Sequence, residues 1–206
     1  FIIEFKNKKI GPVIKNIITN RVFKNSVAMT IVQITQYIVP FLMLALLTRR
    51  LGPDAYALLA FTVAIVQFSN IVTDYGFYLS ATEKLSKKRS SDNVVKHILG
   101  SVILCKAILY LIVCILVLSF ANLSSQHQIH KETILFSLAP IAANTFLPNW
   151  FFQGLEKMKY IMWVAVGSKS TLAFALWLLI KDASDTNLVL IIMASVNGIG
   201  TMSCYW

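Results

Sequence analysis

Three charged residues lie inside long apolar stretches of this chain: Asp74, Lys106 and Lys169. A charge near the middle of a membrane costs about 2.5 to 3.5 kcal/mol even on insertion scales, so such residues are usually paired or functional. A carboxylate and two ammonium groups at this position can form ion pairs, bind a charged substrate or take part in ion transfer. The question is therefore which elements bring these three residues together.

Apolar stretches dominate the 206-residue chain, in which 57% of the residues are hydrophobic and only 14% are charged. Each stretch is about 20 residues long, which is enough for a helix to cross a hydrocarbon core of roughly 30 Å. The stretches do not alternate polar and apolar residues, which excludes the strands of a membrane barrel. We therefore expect an all-α, polytopic transmembrane bundle of about six helices, at residues 25–47, 56–80, 98–120, 133–152, 161–180 and 188–206.

The positive residues alternate in density between the two sides of this predicted bundle. Thirteen of the 19 Lys and Arg residues lie in the N-terminal tail and in the loops after the second and fourth helices. The positive-inside rule places this side in the cytoplasm. We expect a basic cytoplasmic tail at residues 1–24 and the membrane bundle at residues 25–206. Because the charges are divided among loops, the net charge of +10 does not indicate nucleic-acid binding.

The three buried charges are predicted to lie at a similar depth. Asp74 is about six residues from the inner end of its helix, and the two lysines are about eight residues in, which is roughly 9 to 12 Å at 1.5 Å per residue. We expect Asp74 to pair with Lys106 or Lys169, and the remaining lysine to give an inward-facing cavity a net positive charge that attracts an anion. The alternative for each lysine is that its long side chain reaches the headgroups.

Uncharged polar residues form stripes at helical spacing. Gln33 and Gln36 lie on the first helix and Asn70 on the second, where their amide groups can both donate and accept hydrogen bonds. In the fourth helix, Pro140, Asn144 and Pro148 share one face, which predicts a kinked helix with freed carbonyl groups. The alternative, favoured for Asn144, is an interhelical hydrogen bond worth about 0.6 kcal/mol.

Several other groups are assigned ordinary roles. Arg49 and Arg50 lie at the outer mouth of the predicted cavity, where anchoring to the membrane interface is favoured over a substrate contact. His127, His130 and Glu132 are expected to be a solvated loop, with no metal site. The chain contains no nucleotide-binding, hydrolase or metalloprotease motif, so we expect a protein that is not an enzyme and that needs no cofactor.

Three segments resemble a known family: RRLGPDAYALLAF at residues 49–61, DYGFYLSAT at 74–82 and PNWFFQGLEKM at 148–158. In order and spacing they are similar to the signatures of bacterial polysaccharide flippases of the O-antigen (Wzx) type. Ala57 departs from the pattern, which more often has Gly after the Tyr. The residues that carry the resemblance are Gly52, Tyr75, Gly76, Trp150, Gln153 and Gly154.

The resemblance implies about twelve helices in two bundles that alternate access, of which this chain is the N-terminal one. It implies a substrate of undecaprenyl-pyrophosphate-linked oligosaccharide, an O-antigen or capsule repeat unit, moved across the bacterial inner membrane during lipopolysaccharide or capsule synthesis. Membrane lipid and other polysaccharide-assembly membrane proteins are the expected partners. A coupling ion, proton or sodium, would involve Asp74 first. Because the chain begins at Phe1 and ends at Trp206 inside an apolar run, we expect a fragment.

Three alternatives remain open from the residues alone. A drug or cation antiporter of the same superfamily would need a cavity suited to cations, which a net positive charge disfavours. A membrane-embedded polymerase or acyltransferase would need a large outer loop or a His-Asp pair, and neither is evident in these residues. A structural or assembly subunit is the third alternative.

Overall fold

The computed structural model describes residues 11–88, 92–123 and 128–205, and within these residues it contains helices and no strand. The predicted all-α class is confirmed. The first ten residues of the predicted tail, Arg89 and His127 lie outside the described residues. The helices are α1 (Gly11–Asp74), α2 (Phe77–Lys88), α3 (Asp92–Leu123), α4 (Gln128–Phe136), α5 (Leu138–Thr145), α6 (Asn149–Gly154), α7 (Met158–Leu179) and α8 (Thr186–Tyr205), with a 3₁₀ turn at Ala183–Asp185.

α1 consists of two helical arms that meet at Gly52. This residue has φ 79° and ψ 171°, a conformation open to glycine and strained for other residues. Pro53 then starts the second arm, where its missing N–H would have had no helical partner. The first two predicted helices, at residues 25–47 and 56–80, were expected to be joined by a turn at residues 48–54, but the non-helical backbone is confined to Gly52. We call the arms the first arm (11–51) and the second arm (53–74).

The side-chain contacts show that neighbouring crossings alternate in direction. The rings of Phe61 and Phe120 lie 6.2 Å apart at one end of the second arm and α3, and Asp74 contacts Lys106 at the other end. These two helices are therefore antiparallel. α8 runs parallel to α4 and α5, since Thr133 bonds to Asn187 and Thr201 bonds to the carbonyl of Ala143. We name the two ends of the bundle the Gly52 end and the Asp74 end.

Five helical stretches among the described residues are long and apolar enough to cross a membrane. The first contains both arms of α1, so the described residues contain six apolar crossings, as the sequence predicted. Many large apolar side chains are exposed on these helices, among them Phe41, Phe68, Leu104 and Trp163. Such a surface is typical of helices that face lipid, where close packing and interhelical hydrogen bonds hold the bundle together.

The fourth crossing is divided into three helices where the sequence predicted one kinked helix. The chain turns at Ser137 ahead of Pro140, and it leaves the helical conformation between Thr145 and Asn149, next to Pro148. A proline removes a backbone donor and crowds the preceding turn, which accounts for a break at each site. The freed carbonyls are satisfied by side chains: Tyr205 donates to the carbonyl of Phe146 at 2.9 Å.

The Gly52 end is held by an apolar cluster and by caps on α7. Arg50 donates through Nη1 to the carbonyls of Trp177 and Ile180, both at 2.5 Å. In the following turn, the backbone N–H groups of Lys181 and Asp182 donate to the Asp185 carboxylate, and these bonds lower its pKa below the usual value. The buried members of the apolar cluster are Leu47, Leu51, Leu59, Leu172, Leu176, Ile180, Val189, Leu190, Ile192 and Val196.

At the Asp74 end, α2 packs closely against α6. A Cβ atom on Gly154 would lie 2.8 Å from Cδ2 of Leu85 and 3.0 Å from its Cβ, so only glycine fits at this contact. Thr82 also donates to the carbonyl of Trp150 at 3.2 Å. Both Leu85 and Trp150 are buried, with Ala81 and Val102 in the same cluster.

We expect Gly154→Ala to destabilise the protein by about 1 to 3 kcal/mol, because the buried Leu85 has little room to move. Gly100→Ala is the matched control, since a Cβ at Gly100 would meet no atom within 4 Å. It should be neutral or stabilising by up to about 1 kcal/mol. The measurement is thermal unfolding of the detergent-solubilised protein, and equal shifts for the two variants would contradict the close contact.

Candidate functional site

The centre of the site is an ion pair between α1 and α3. Nζ of Lys106 lies 2.6 Å from Oδ1 of Asp74. The Lys106 side chain is 4% exposed, whereas the Asp74 side chain is 55% exposed. Of the two pairings expected for Asp74, the structure contains the one with Lys106. The ammonium group is thus enclosed by the protein, and the carboxylate keeps an accessible face.

Lys106 also reaches a third helix. Its ammonium group donates to the backbone carbonyl of Thr145 at 3.1 Å. Thr145 is the last residue of α5, and the break before Pro148 leaves its carbonyl without a helical donor. One buried ammonium group therefore binds the last residue of α1 and the last residue of α5, and it neutralises Asp74.

Hydroxyl groups continue this polar contact between α1 and α5. Oγ1 of Thr145 lies 3.2 Å from Oγ1 of Thr73, and both side chains are buried. One turn earlier on α1, Oδ1 of Asn70 is buried and has no hydrogen-bond partner among the described residues. An unsatisfied buried acceptor costs about 1 to 3 kcal/mol, so this amide is suited to accept a bond from a bound molecule.

Lys169 is separate from this ion pair. It lies on α7, is partly buried, and has no hydrogen-bond or ion-pair partner within the part of the chain that the structure describes. The structure therefore brings two of the three predicted charges together and leaves the third unpaired. The pair is neutral, so Lys169 carries the uncompensated positive charge among the three.

The polar residues predicted to line a cavity take different positions. Gln33 and Gln36 are exposed on the first arm. Asn144 accepts a hydrogen bond from Nδ2 of Asn197 at 3.1 Å, which is the interhelical contact favoured for it. On the first arm, Thr30 donates to the carbonyl of Ser26 in the preceding turn of its own helix. Arg49 is exposed, and Arg50 caps α7.

The residues that carry the family resemblance shape the turns and contacts of the fold. Gly52 and Gly76 have φ 79° and 77°, and Tyr75 has φ 31°. Gly154 makes the close approach to Leu85 that is described above, and Trp150 is buried against α2. Gln153 has a buried Oε1 without a partner among the described residues.

Several residues of the site were not predicted from the sequence. Thr73 and Thr145 join α1 to α5, Asn197 pairs with Asn144, and Thr201 and Tyr205 bind carbonyls freed near Pro148. Asn197 could have been singled out from the sequence, because it is an amide within the sixth apolar run. Threonines offered little, because they also bond to the preceding turn of their own helix, as Thr62 does.

No group of three His, Cys, Asp or Glu side chains is arranged to hold a metal ion in the described part of the chain. The side chain of His130 lies outside the description, as does His127. Six helical crossings with an enclosed ion pair define a multi-pass helical membrane protein, and this class agrees with the predicted bundle.

Comparison with known proteins narrows the class to a family. Residues 22–205 match the family described as "Polysaccharide biosynthesis protein", so the chain belongs to this family. The flippase family recognised from the three sequence segments is thereby confirmed. No solved structure matches the chain.

Two curated relatives agree with this placement. The chain is 29% identical to a "Putative O-antigen transporter" of Escherichia coli (strain K12) over 174 residues, which cover 84% of this chain and 42% of the relative. It is 26% identical to a protein of the same name from Shigella dysenteriae over 162 residues, or 79% of this chain and 40% of the relative. The chain spans about two fifths of the length of these relatives. Both names describe transporters.

We expect Asp74→Asn to lower the free energy of unfolding by about 1 to 3 kcal/mol, because it leaves the buried Lys106 ammonium without its counter-charge. Lys106→Met added to this variant removes the uncompensated charge, so the double variant should be more stable than Asp74→Asn alone. Denaturation in detergent of four proteins, namely the parent, Asp74→Asn, Lys106→Met and the double variant, yields the coupling energy.

The matched control is the exposed ion pair of α2, in which Nζ of Lys87 lies 2.5 Å from Oε1 of Glu83. Because both groups are in contact with solvent, Glu83→Gln should leave the melting temperature unchanged. Strict additivity of Asp74→Asn and Lys106→Met would show that the two side chains do not interact.

Proposed function

We propose that the full-length protein of which this chain forms a part is a flippase for undecaprenyl-pyrophosphate-linked oligosaccharide. The substrate is an O-antigen or capsule repeat unit, moved from the cytoplasmic to the periplasmic face of the bacterial inner membrane. The observation that carries the proposal is the set of charged groups, Asp74, Lys106 and Lys169, inside the apolar bundle of a polysaccharide-family protein.

The two lysines have different roles in this proposal. Lys106 is enclosed and neutralised by Asp74, so its first role is to orient the Asp74 carboxylate. Lys169 has no partner among the described residues, and it is the cation available to the pyrophosphate group. A hydrogen bond to a charged group contributes about 1.5 to 3 kcal/mol, which makes Lys169 a strong contact for an anion within the membrane.

The sugar units need hydrogen-bonding groups that the substrate can reach. The exposed face of the Asp74 carboxylate can accept bonds from sugar hydroxyls. Gln33 and Gln36 present amide groups on the first arm, and Asn70 has an amide oxygen without a partner in the described structure. These groups place acceptors and donors along α1, while the prenyl chain remains in lipid.

The direction of transport follows from the predicted topology. The positive-inside rule puts the N-terminus and the Asp74 end on the cytoplasmic side, where the lipid-linked oligosaccharide is assembled. The substrate would then enter beside Asp74 and Lys169. A proton or sodium ion that drives the cycle would act at Asp74, since an intramembrane carboxylate commonly serves ion relays.

The decisive test is genetic complementation with the full-length gene in its native bacterium. Deletion should remove the surface polysaccharide and cause lipid-linked oligosaccharide to accumulate on the inner face, and the restored gene should reverse both effects. Loss of drug tolerance with normal surface polysaccharide would instead indicate an antiporter of the same superfamily. Unchanged surface polymer and drug tolerance would contradict any export role.

In the complemented strain, we expect Lys169→Ala to reduce export about tenfold, which corresponds to about 1.4 kcal/mol. Lys169→Arg should retain most of the activity because it keeps the charge. Asp74→Asn and Lys106→Ala should also impair export while the protein still inserts. Lys181→Ala, at an exposed lysine of the Gly52 end, is the control. Normal export by Lys169→Ala at a matched protein level would exclude this lysine from the mechanism.

A further inference from the structure

The two chain breaks at the Asp74 end lie directly beside the contacts of Lys106. Tyr75 and Gly76, both with positive φ, follow Asp74. Residues 146–148 follow Thr145 and separate α5 from α6. Lys106 therefore binds the residue that precedes each break.

Beyond the two breaks, α2 and α6 behave as one packed unit. Leu85 closes over Gly154, and Thr82 bonds to the carbonyl of Trp150. Leu85, Trp150, Ala81 and Val102 are all buried in one apolar cluster. A change at the breaks can leave this unit intact.

The contact between α1 and α5, which we call the seam, changes from apolar to polar along its length. Towards the Gly52 end it is apolar, with Val66 and Ile141 in one buried cluster. At the Asp74 end it consists of Thr73, Thr145 and the Lys106 ammonium group, beside the unsatisfied amide oxygen of Asn70. Uncharged polar contacts between membrane helices, such as that between Thr73 and Thr145, contribute only about 0.6 kcal/mol on average.

We propose that the ends of α1 and α5 separate during transport, with the breaks at 75–76 and 146–148 as hinges, and that Lys106 is the positioning residue that holds them together. α2 and α6 stay packed on each other as the hinges flex. That the separation occurs during transport rests on the proposed function. That the two helix ends are held together by Lys106 rests on its hydrogen bonds to Asp74 and Thr145.

Two engineered disulfides in the full-length protein distinguish the contact between α1 and α5, which we expect to open, from the contact between α2 and α6, which we expect to stay closed. The parent has Cys105, Cys114 and Cys204 replaced by Ala, together with any cysteines outside this chain. Thr73→Cys with Thr145→Cys places thiols where the hydroxyl oxygens lie 3.2 Å apart. Leu85→Cys with Gly154→Cys places them at the contact between α2 and α6, and it removes the leucine atoms that a side chain at 154 would meet.

We expect the 73–145 disulfide to lower oligosaccharide export at least tenfold, with recovery after reduction. The 85–154 disulfide should leave export within twofold of the reduced protein. Equal export before and after formation of the 73–145 disulfide would overturn the proposal, and so would a block by the 85–154 disulfide. Cross-linking is scored on gels by loss of maleimide labelling.

A second measurement needs no transport substrate, so it separates failure of this inference from failure of the proposed function. Thr145 is 1% exposed, so a cysteine there reacts with a water-soluble maleimide only when the seam opens. Lys106→Met in the Thr145→Cys protein should raise the reaction rate at least tenfold in membrane vesicles. Lys181→Met should leave it unchanged. A rate that Lys106→Met does not raise would show that Lys106 does not hold the seam.

Discussion

A backbone carbonyl released inside an apolar bundle must find a donor within the protein, because lipid supplies none. This constraint is met where the fourth crossing breaks and where α7 ends. Near Pro148, the carbonyls of Ala143, Thr145 and Phe146 receive bonds from Thr201, Lys106 and Tyr205. Each donor comes from a different position on α3 or α8. The break in the fourth crossing thereby fixes how α3, α5 and α8 meet.

The same constraint gives the two ends of the bundle different characters. At the Gly52 end, Arg50 caps the last carbonyls of α7, and the helix ends pack on an extensive buried apolar cluster. At the Asp74 end, the helix ends meet through Lys106, Thr73 and Thr145, beside the exposed Asp74 carboxylate and the unsatisfied amide oxygen of Asn70. One end therefore suits a fixed support, and the other suits contact with a polar substrate.

Apolar run length predicted the number of crossings because the bilayer itself sets that length. Helical spacing also identified the helix that breaks, since Pro140 and Pro148 lack backbone donors. The sequence predicted the ends of the helices less well than their number. The second helix was expected to reach residue 80 but ends at Asp74, because Tyr75 and Gly76 adopt positive φ. Run length cannot detect such a turn within apolar sequence.

Depth arguments placed Asp74, Lys106 and Lys169 together but left the choice of partner open. The choice depends on which faces of α3 and α7 turn toward the end of α1, and this is decided by packing elsewhere in the chain. It also depends on the carbonyl of Thr145, a backbone group that residue types do not reveal. Threonine and tyrosine donors were missed for the same reason, since their partners exist only after the helix has broken.

The ion pair between Asp74 and Lys106 leaves Lys169 as the uncompensated charge among the three charged residues within the apolar stretches. A lysine that satisfies a carboxylate and a carbonyl at once is costly to move, because both acceptors would need new donors. Lys106 is therefore better suited to shape the site than to follow an anion through it. Lys169 has no such acceptor among the described residues, so its ammonium group would leave no described acceptor unsatisfied if it moved. Two lysines at similar predicted depth thus differ in their surroundings, because one is bound to two other helices and the other has no partner among the described residues.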